Sequence, residues 1–394
     1  MFQILKEIPS KVWLLVLAHC ITDLSQGSLL VALPYFKFKF GLSYAEVGSL
    51  VLIQNLTSSV SQPLFGYFSD KYPRPWLIPA GCLLSGIAMF GSLLAPSFYL
   101  LYFSTALCGL GIAAFHPEAA KMANKFSGTS KGKGVSLFVV GGNGGFALGS
   151  LFMAILLSGD ELMKALYLLP FIAIFYPLYK LAVSLPTITS NNSKQLENKI
   201  SKSFSWPLAA LLGVVLSRST VGSGVSTFLP LYYVTYLHGS QLYASSLLTV
   251  YLAAGAVGTL FGGFLSDRYG SKRIMLWSIL PISAMLYLFR LSEGFEVFLI
   301  LSITSALLSC AFSSTLVLAQ QMMPNNIAVA SGLTIGLSVG LGAMGAVALG
   351  KVADIWSMPV VFDILAVLPL IGFLLTFYIS EPNSKNPSYA AVRT

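Results

Sequence analysis

Gly66-Tyr67-Phe68-Ser69-Asp70-Lys71-Tyr72-Pro73-Arg74-Pro75 is a short charged turn in an apolar chain, and it occurs twice. At Gly263-Phe264-Leu265-Ser266-Asp267-Arg268-Tyr269-Gly270-Ser271-Lys272-Arg273 the same order returns: Gly, three residues, Asp, a cation, Tyr, then further cations. Asp70 and Asp267 lie 197 positions apart, half of the 394-residue chain. Each copy follows one long apolar run and precedes another. A turn repeated at half the chain length in that setting predicts two halves of like fold.

Around these turns the chain is 56% hydrophobic and only 9% charged, against roughly 25% charged in a soluble domain. Lipid must cover most of such a surface. At about 20 apolar residues per bilayer crossing, the sequence predicts an all-α membrane protein of twelve spans, near 12–36, 44–68, 76–95, 98–122, 134–158, 162–184, 207–233, 243–265, 273–290, 296–322, 327–350 and 358–379. These form two pseudo-symmetric six-helix bundles, 1–185 and 206–394 with a short tail, joined by a polar Ser-, Asn- and Lys-rich linker at 186–205. The first run is too long for a signal-peptide core and is expected to remain as a span. The four cysteines lie inside apolar runs with no CxxC pair, so they are expected to pack rather than cross-link.

The net charge of +9 does not indicate nucleic acid, because the cations sit in short turns with no extended basic face. They act as topology signals. With the N-terminus inside, seventeen of the 23 lysines and arginines fall in cytoplasmic segments and five in outer ones. That bias predicts cytoplasmic termini and a cytoplasmic linker.

Ionisable groups inside spans cost roughly 2.5–3.5 kcal/mol each on insertion scales, so each needs a reason. The first span holds His19 and Asp23, one helical turn apart on one face. Asp23 and Arg218 lie at similar depth in the first and seventh spans, which correspond in a duplicated bundle. The pair is expected to meet at the interface and to respond to protons or substrate. His116-Pro117-Glu118 on the fourth span adds two titrating groups beside a helix-bending proline. HxE offers two metal ligands with no third in sequence reach, so no metal site is expected and no cofactor is implied. Gln54, Asn55, Asn143 and Gln320 are candidates for lining a substrate path without the cost of a charge. Arg290 and Asp363 are expected to reach water from outer helix ends. Gly141, Gly145 and Gly149 form a seam at four-residue spacing with a counterpart on the eleventh span, expected to let two bundles slide. The repeated turns, through Gly66, Asp70, Lys71, Arg74, Gly263, Asp267, Arg268 and Arg273, are expected to latch the cytoplasmic side.

The doubled turn resembles the loop motif of the major facilitator superfamily, between helices 2 and 3 and between 8 and 9. The second copy keeps the general pattern better; the first has Pro73 and Pro75 where the pattern has a Gly and a cation. Gln62-Pro63 through Trp76, Phe115-His116-Pro117-Glu118, Val140-Gly141-Gly142-Asn143, His19 with Asp23, and Ser314-Thr315 through Gln320 together resemble the bacterial fosmidomycin resistance branch. The resemblance spans nearly the whole chain. It implies a multi-pass protein of the bacterial inner membrane, linked to antibiotic resistance, exporting a small drug-like or polar compound in exchange for protons. The alternative is proton-coupled uptake of a small metabolite. The expected partners are a small molecule, protons and the bilayer, with no nucleic acid, and the expected state is a monomer.

Other function classes lack their parts. There is no GxxxxGKS loop for ATP and no HExxH for a zinc protease. GxSxG matches at 128–132 and 336–340 fall in a basic turn and inside a helix, where no nucleophile elbow forms. A sensor would need a soluble output domain, which the linker and tail are too short to supply.

Overall fold

An apolar run this long in lipid must satisfy its own backbone, and a helix does so within one segment. The structure, a computed structural model, describes residues 9–71, 74–128, 131–159, 161–185, 206–323 and 327–379. The linker at 186–205 lies outside the described residues. The first half forms α1 (Ser10–Phe40), α2 (Tyr44–Lys71), α3 (Leu77–Leu94), α4 (Phe98–Phe126), α5 (Lys131–Leu157) and α6 (Leu169–Val183). The second forms α7 (Trp206–Leu231), α8 (Gln241–Tyr269), α9 (Ser271–Leu291), α10 (Phe295–Met322), α11 (Ile327–Ile355) and α12 (Met358–Thr376). These are the twelve predicted spans. The sixth is entered through a short helix, Glu161–Ala165, and a 3-10 turn, Leu166–Leu168, with Pro170 in the first turn of α6. A π-helical turn, Tyr232–Tyr236, extends α7.

Among the described residues, eleven helices are long and apolar enough to cross a membrane. The other helix of that length, the 28-residue α2, carries Gln54, Asn55, Ser58, Ser59 and Gln62. Its polarity has a structural cause given below.

The packing repeats with an offset of six helices. α1 packs on α5 as α7 does on α11, α2 on α4 as α8 on α10, and α3 on α6 as α9 on α12. The two most extensive contacts between the bundles are α2 with α11 and α5 with α8, and the same exchange relates them. The glycine seam of α5 is not one of these crossings. Gly141, Gly145 and Gly149 stand against the backbone carbonyls of Val16, Cys20 and Leu24 on α1, where an added Cβ would overlap. The expected sliding surface between bundles is therefore, on α5, a close contact within the first bundle.

The bundles meet closely at the end away from the linker. Gly48 of α2 packs on the carbonyl of Ala346, and Gly350 of α11 on that of Tyr44. The start of α2 is closed by a capping box, Ser43 N–H to Glu46 Oε2 at 2.8 Å and Glu46 N–H to Ser43 Oγ at 3.2 Å. Asp354 at the end of α11 accepts from the Tyr44 and Ala45 amides at 2.7 and 3.0 Å, so one bundle caps a helix of the other. Ser150 with Thr249 (2.6 Å) and Gln241 Nε2 to the Val31 carbonyl (2.6 Å) add further ties at this end.

Candidate functional site: an interfacial cavity beside a buried His-His-Asp triad

Between the bundles lies a cavity of about 460 Å³. Gln26 of α1, Asn55 and Gln62 of α2 and Asn143 of α5 line it from the first bundle. The α2 helix is polar because this face meets the cavity rather than lipid. From the second bundle α7 contributes Ser219, Ser223 and Ser226, and α10 contributes Ser305 and Ser309. Among the described lining residues Arg218 is the one charged side chain. Its Nη2 donates to Ser338 Oγ on α11 at 2.8 Å, and its guanidinium lies 4.9 Å from the Phe312 ring centre. Arg218 Nε is buried with no hydrogen-bond partner among the described residues. A cation so held, half-buried among hydroxyls and amides, can pair with an anionic group.

The second feature lies within the first bundle. His19 Nε2 is 3.2 Å from Asp23 Oδ2, and His116 Nε2 is 3.1 Å from Asp23 Oδ1. The two imidazole nitrogens are 3.0 Å apart. His19 Nδ1 lies 2.7 Å from the carbonyl of Phe138, whose ring stacks on it with centres 4.0 Å apart. His19 and Asp23 are buried. Gly142 of α5 completes the wall: a Cβ there would sit 2.8 Å from Asp23 Oδ2 and overlap the His19 ring. The triad thus uses α1 and α4, with α5 packed against it. The helical-turn spacing of His19 and Asp23 places both on the face that meets His116.

This geometry overturns two expectations. Asp23 pairs with His19 and His116, whereas Arg218 turns to Ser338 and Phe312, so the two do not form the predicted ion pair. Gln54 is also displaced from its expected role, being buried between α2 and α4 and donating to Cys108 Sγ at 3.4 Å. Asn55 and Asn143 do line the cavity, and Gln320 lies on α10 beyond the described lining. Glu118 is fully buried on α4, two residues past His116 and outside the triad. The α4 helix continues through Pro117 to Phe126. Arg290 and Asp363 form an ion pair with each other. All four cysteines are free.

At the repeated turns, a Cβ added at Gly66 would lie 3.7 Å from Pro117 Cβ, Gly263 faces open space, Arg74 and Arg273 are exposed, and Arg268 lies over Tyr269. The side chains of Asp70, Lys71 and Asp267 lie outside the described part. Sequence reasoning missed the serines. Their signal was present, since Ser219, Ser223 and Ser226 recur at i, i+4 and i+7.

Twelve spans in two related bundles around a polar interfacial cavity define a membrane transporter, not an enzyme. The Major Facilitator Superfamily sequence profile matches residues 15–218 and 210–392, and the chain belongs to that family. It is 32% identical over 374 residues to the fosmidomycin resistance protein of Escherichia coli (strain K12), covering 92% of this chain and 90% of that one. It is also 32% identical over 367 residues to the uncharacterised MFS-type transporter YfnC of Bacillus subtilis (strain 168), covering 91% and 90%. Among solved structures, the nucleoside transporter NupG superposes with a TM-score of 0.73 at 16% identity, covering 95% of this chain and 100% of that one. A bacterial homologue of the lysosomal transporter Spinster, inward-facing and occupied, gives 0.73 at 16%, covering 93% of each.

Proposed function

We propose that this transporter exports a small polar compound bearing an acidic group in exchange for protons. The observation that carries the reading is the separation of charges: Arg218 stands in the cavity, while the one acid of α1 is held behind it by two histidines. Solute and proton then use different sites. Asp23 is three residues from Gln26 on α1, and Gly142 adjoins Asn143 on α5. Gln26 and Asn143 line the cavity, so a change of protonation in the triad has two short routes to the solute.

The lysine and arginine bias supports placing both termini and the linker in the cytoplasm. On that reading the Tyr44–Asp354 end is outer, and the cavity faces inward. Protonation from outside requires those outer ties to break, as alternating access demands. The 32% identity to a fosmidomycin resistance protein supports export, a bacterial inner-membrane location and a solute of that polarity. Monomers divided into bundles at 1–185 and 206–394 complete the proposal. The test is solute uptake into inverted vesicles under an imposed pH gradient, acid inside. Accumulation that collapses with the gradient supports exchange; accumulation only under the opposite gradient supports uptake symport instead.

A further inference from the structure

The triad is more than a pair of hydrogen bonds, because three lone-pair donors converge on it. We infer that His19, His116 and Asp23 form a binding site for a divalent transition-metal ion of the zinc, cobalt and nickel class. Three observations carry this.

The first is spacing. The imidazole nitrogens are 3.0 Å apart, and the carboxylate straddles them with oxygens at 3.2 and 3.1 Å. A cation about 2.0–2.1 Å from both members of any one of these three pairs would see them about 90–105° apart, within the angles of tetrahedral to octahedral coordination. The second is direction. The ring centres of His19 and His116 are 4.8 Å apart while their Nε2 atoms are 3.0 Å apart. The rings diverge from a shared point, as two imidazoles do when their lone pairs meet at one ion.

The third is support from behind. His19 Nδ1 donates to the Phe138 carbonyl at 2.7 Å, which leaves the Nε2 lone pair facing Asp23. A ligating histidine is held in that tautomer by such an outer contact. A proton lies on one line and joins two of the three groups; a metal above their plane joins all three. The histidine-carboxylate donor set also matches this class of ion rather than magnesium or calcium. The HxE spacing alone hid the site, since Glu118 is not the third ligand and α1 supplies the others.

The experiment uses the full-length protein in detergent, purified on a tag without histidine. Cobalt(II) is titrated while visible d–d absorption is followed, and zinc(II) is then added as competitor. The expected result is close to one equivalent of cobalt displaced by zinc. Asp23→Ala and His116→Ala should each weaken binding at least about tenfold, while His238→Ala, at the remaining histidine of the chain, leaves it unchanged. No cobalt signal in the wild type, or undiminished binding in both triad variants, overturns the inference. Should the variants fail to fold, pulsed EPR of copper(II) bound to the wild type decides: coupling to two imidazole nitrogens supports the site, and its absence refutes it. These readouts do not depend on transport, so they stand or fall separately from the proposed exchange.

Discussion

The first helix of each bundle carries one carboxylate or guanidinium near its middle, Asp23 on α1 and Arg218 on α7, and the two face different surroundings. Asp23 points into its own bundle, where two histidines hold it. Arg218 lines the cavity between bundles and meets a serine and an aromatic ring. The repeat offset explains the contrast. With the turns 197 residues apart, the counterpart of Asp23 is Thr220, two positions beyond Arg218. Two positions on a helix is a rotation of about 200°. Thr220 does face its own bundle, against Gly345 of α11. Duplication has preserved the fold but not the placing of charge, and equal depth is no guide to contact.

The comparison breaks most directly if the two residues prove interchangeable in assay. On the proposed division, Asp23→Asn abolishes gradient-driven flux, a drop of at least about a hundredfold, but keeps solute exchange between equal pools, which needs no net proton movement. Arg218→Ala loses both, because removing the cavity cation removes solute binding; a tenfold loss corresponds to about 1.4 kcal/mol. Counterflow in proteoliposomes separates them. Arg218→Ala with normal counterflow would place the acid-binding group elsewhere.

How far the sequence carried this reading depended on which periodicity was in play. Twelve spans follow from apolar run length, and α2 was found among them despite Gln54 through Gln62 because a polar stripe still leaves an apolar remainder. His19 and Asp23 were legible as one face, and His116 as a group in the cytoplasmic third of its span. Their meeting was not legible, because it depends on how α1 and α4 pack, which run length does not encode. The predicted Asp23–Arg218 pair failed because depth was used without rotation. The cavity serines went unread since single hydroxyls satisfy themselves on their own helix, as Ser226 does on the Ser223 carbonyl, and look like ordinary packing.

A smaller effect sharpens the role of the histidines. If a proton on the triad drives exchange, gradient-driven flux in wild type rises as the pH on the proton-donating side falls. His116→Gln keeps one hydrogen bond to Asp23 but removes an imidazole from the triad, so the pH dependence of flux should flatten while counterflow at a fixed pH changes less than about threefold. An unaltered pH profile would move proton coupling away from the triad, Glu118 being the next buried acid on α4.

At the closed end, Asp354 offers a test that leaves both charged centres intact. Its two bonds to the start of α2, at 2.7 and 3.0 Å, are charge-assisted and worth about 1.5–3 kcal/mol each when made. Asp354→Ala should shift the population toward the state open at this end. A cysteine at Thr249, which bonds Ser150 across the bundles, then labels faster with a membrane-impermeant maleimide, by severalfold. Of the native cysteines, Cys82, Cys108 and Cys310 are buried and Cys20 is partly so, which keeps the background low. Equal labelling rates would mean that the ties at this end do not set the conformational balance.

The smallest expected effect concerns glycines, and it distinguishes a fixed seam from a moving one. Gly149 packs on α1 where a Cβ would overlap the Leu24 carbonyl, while Gly222 and Gly263 have open space around them. Gly149→Ala must push α5 from α1, an overpacking cost of about 1–3 kcal/mol, and the melting temperature in detergent should fall by about a few degrees. Gly263→Ala should leave it within about one degree. Because the α1–α5 contact lies inside one bundle, flux per folded molecule should survive Gly149→Ala with little change. If flux fell while the melting temperature held, the seam would move during the cycle, and α1, which carries Asp23, would have to shift against α5 rather than travel with it.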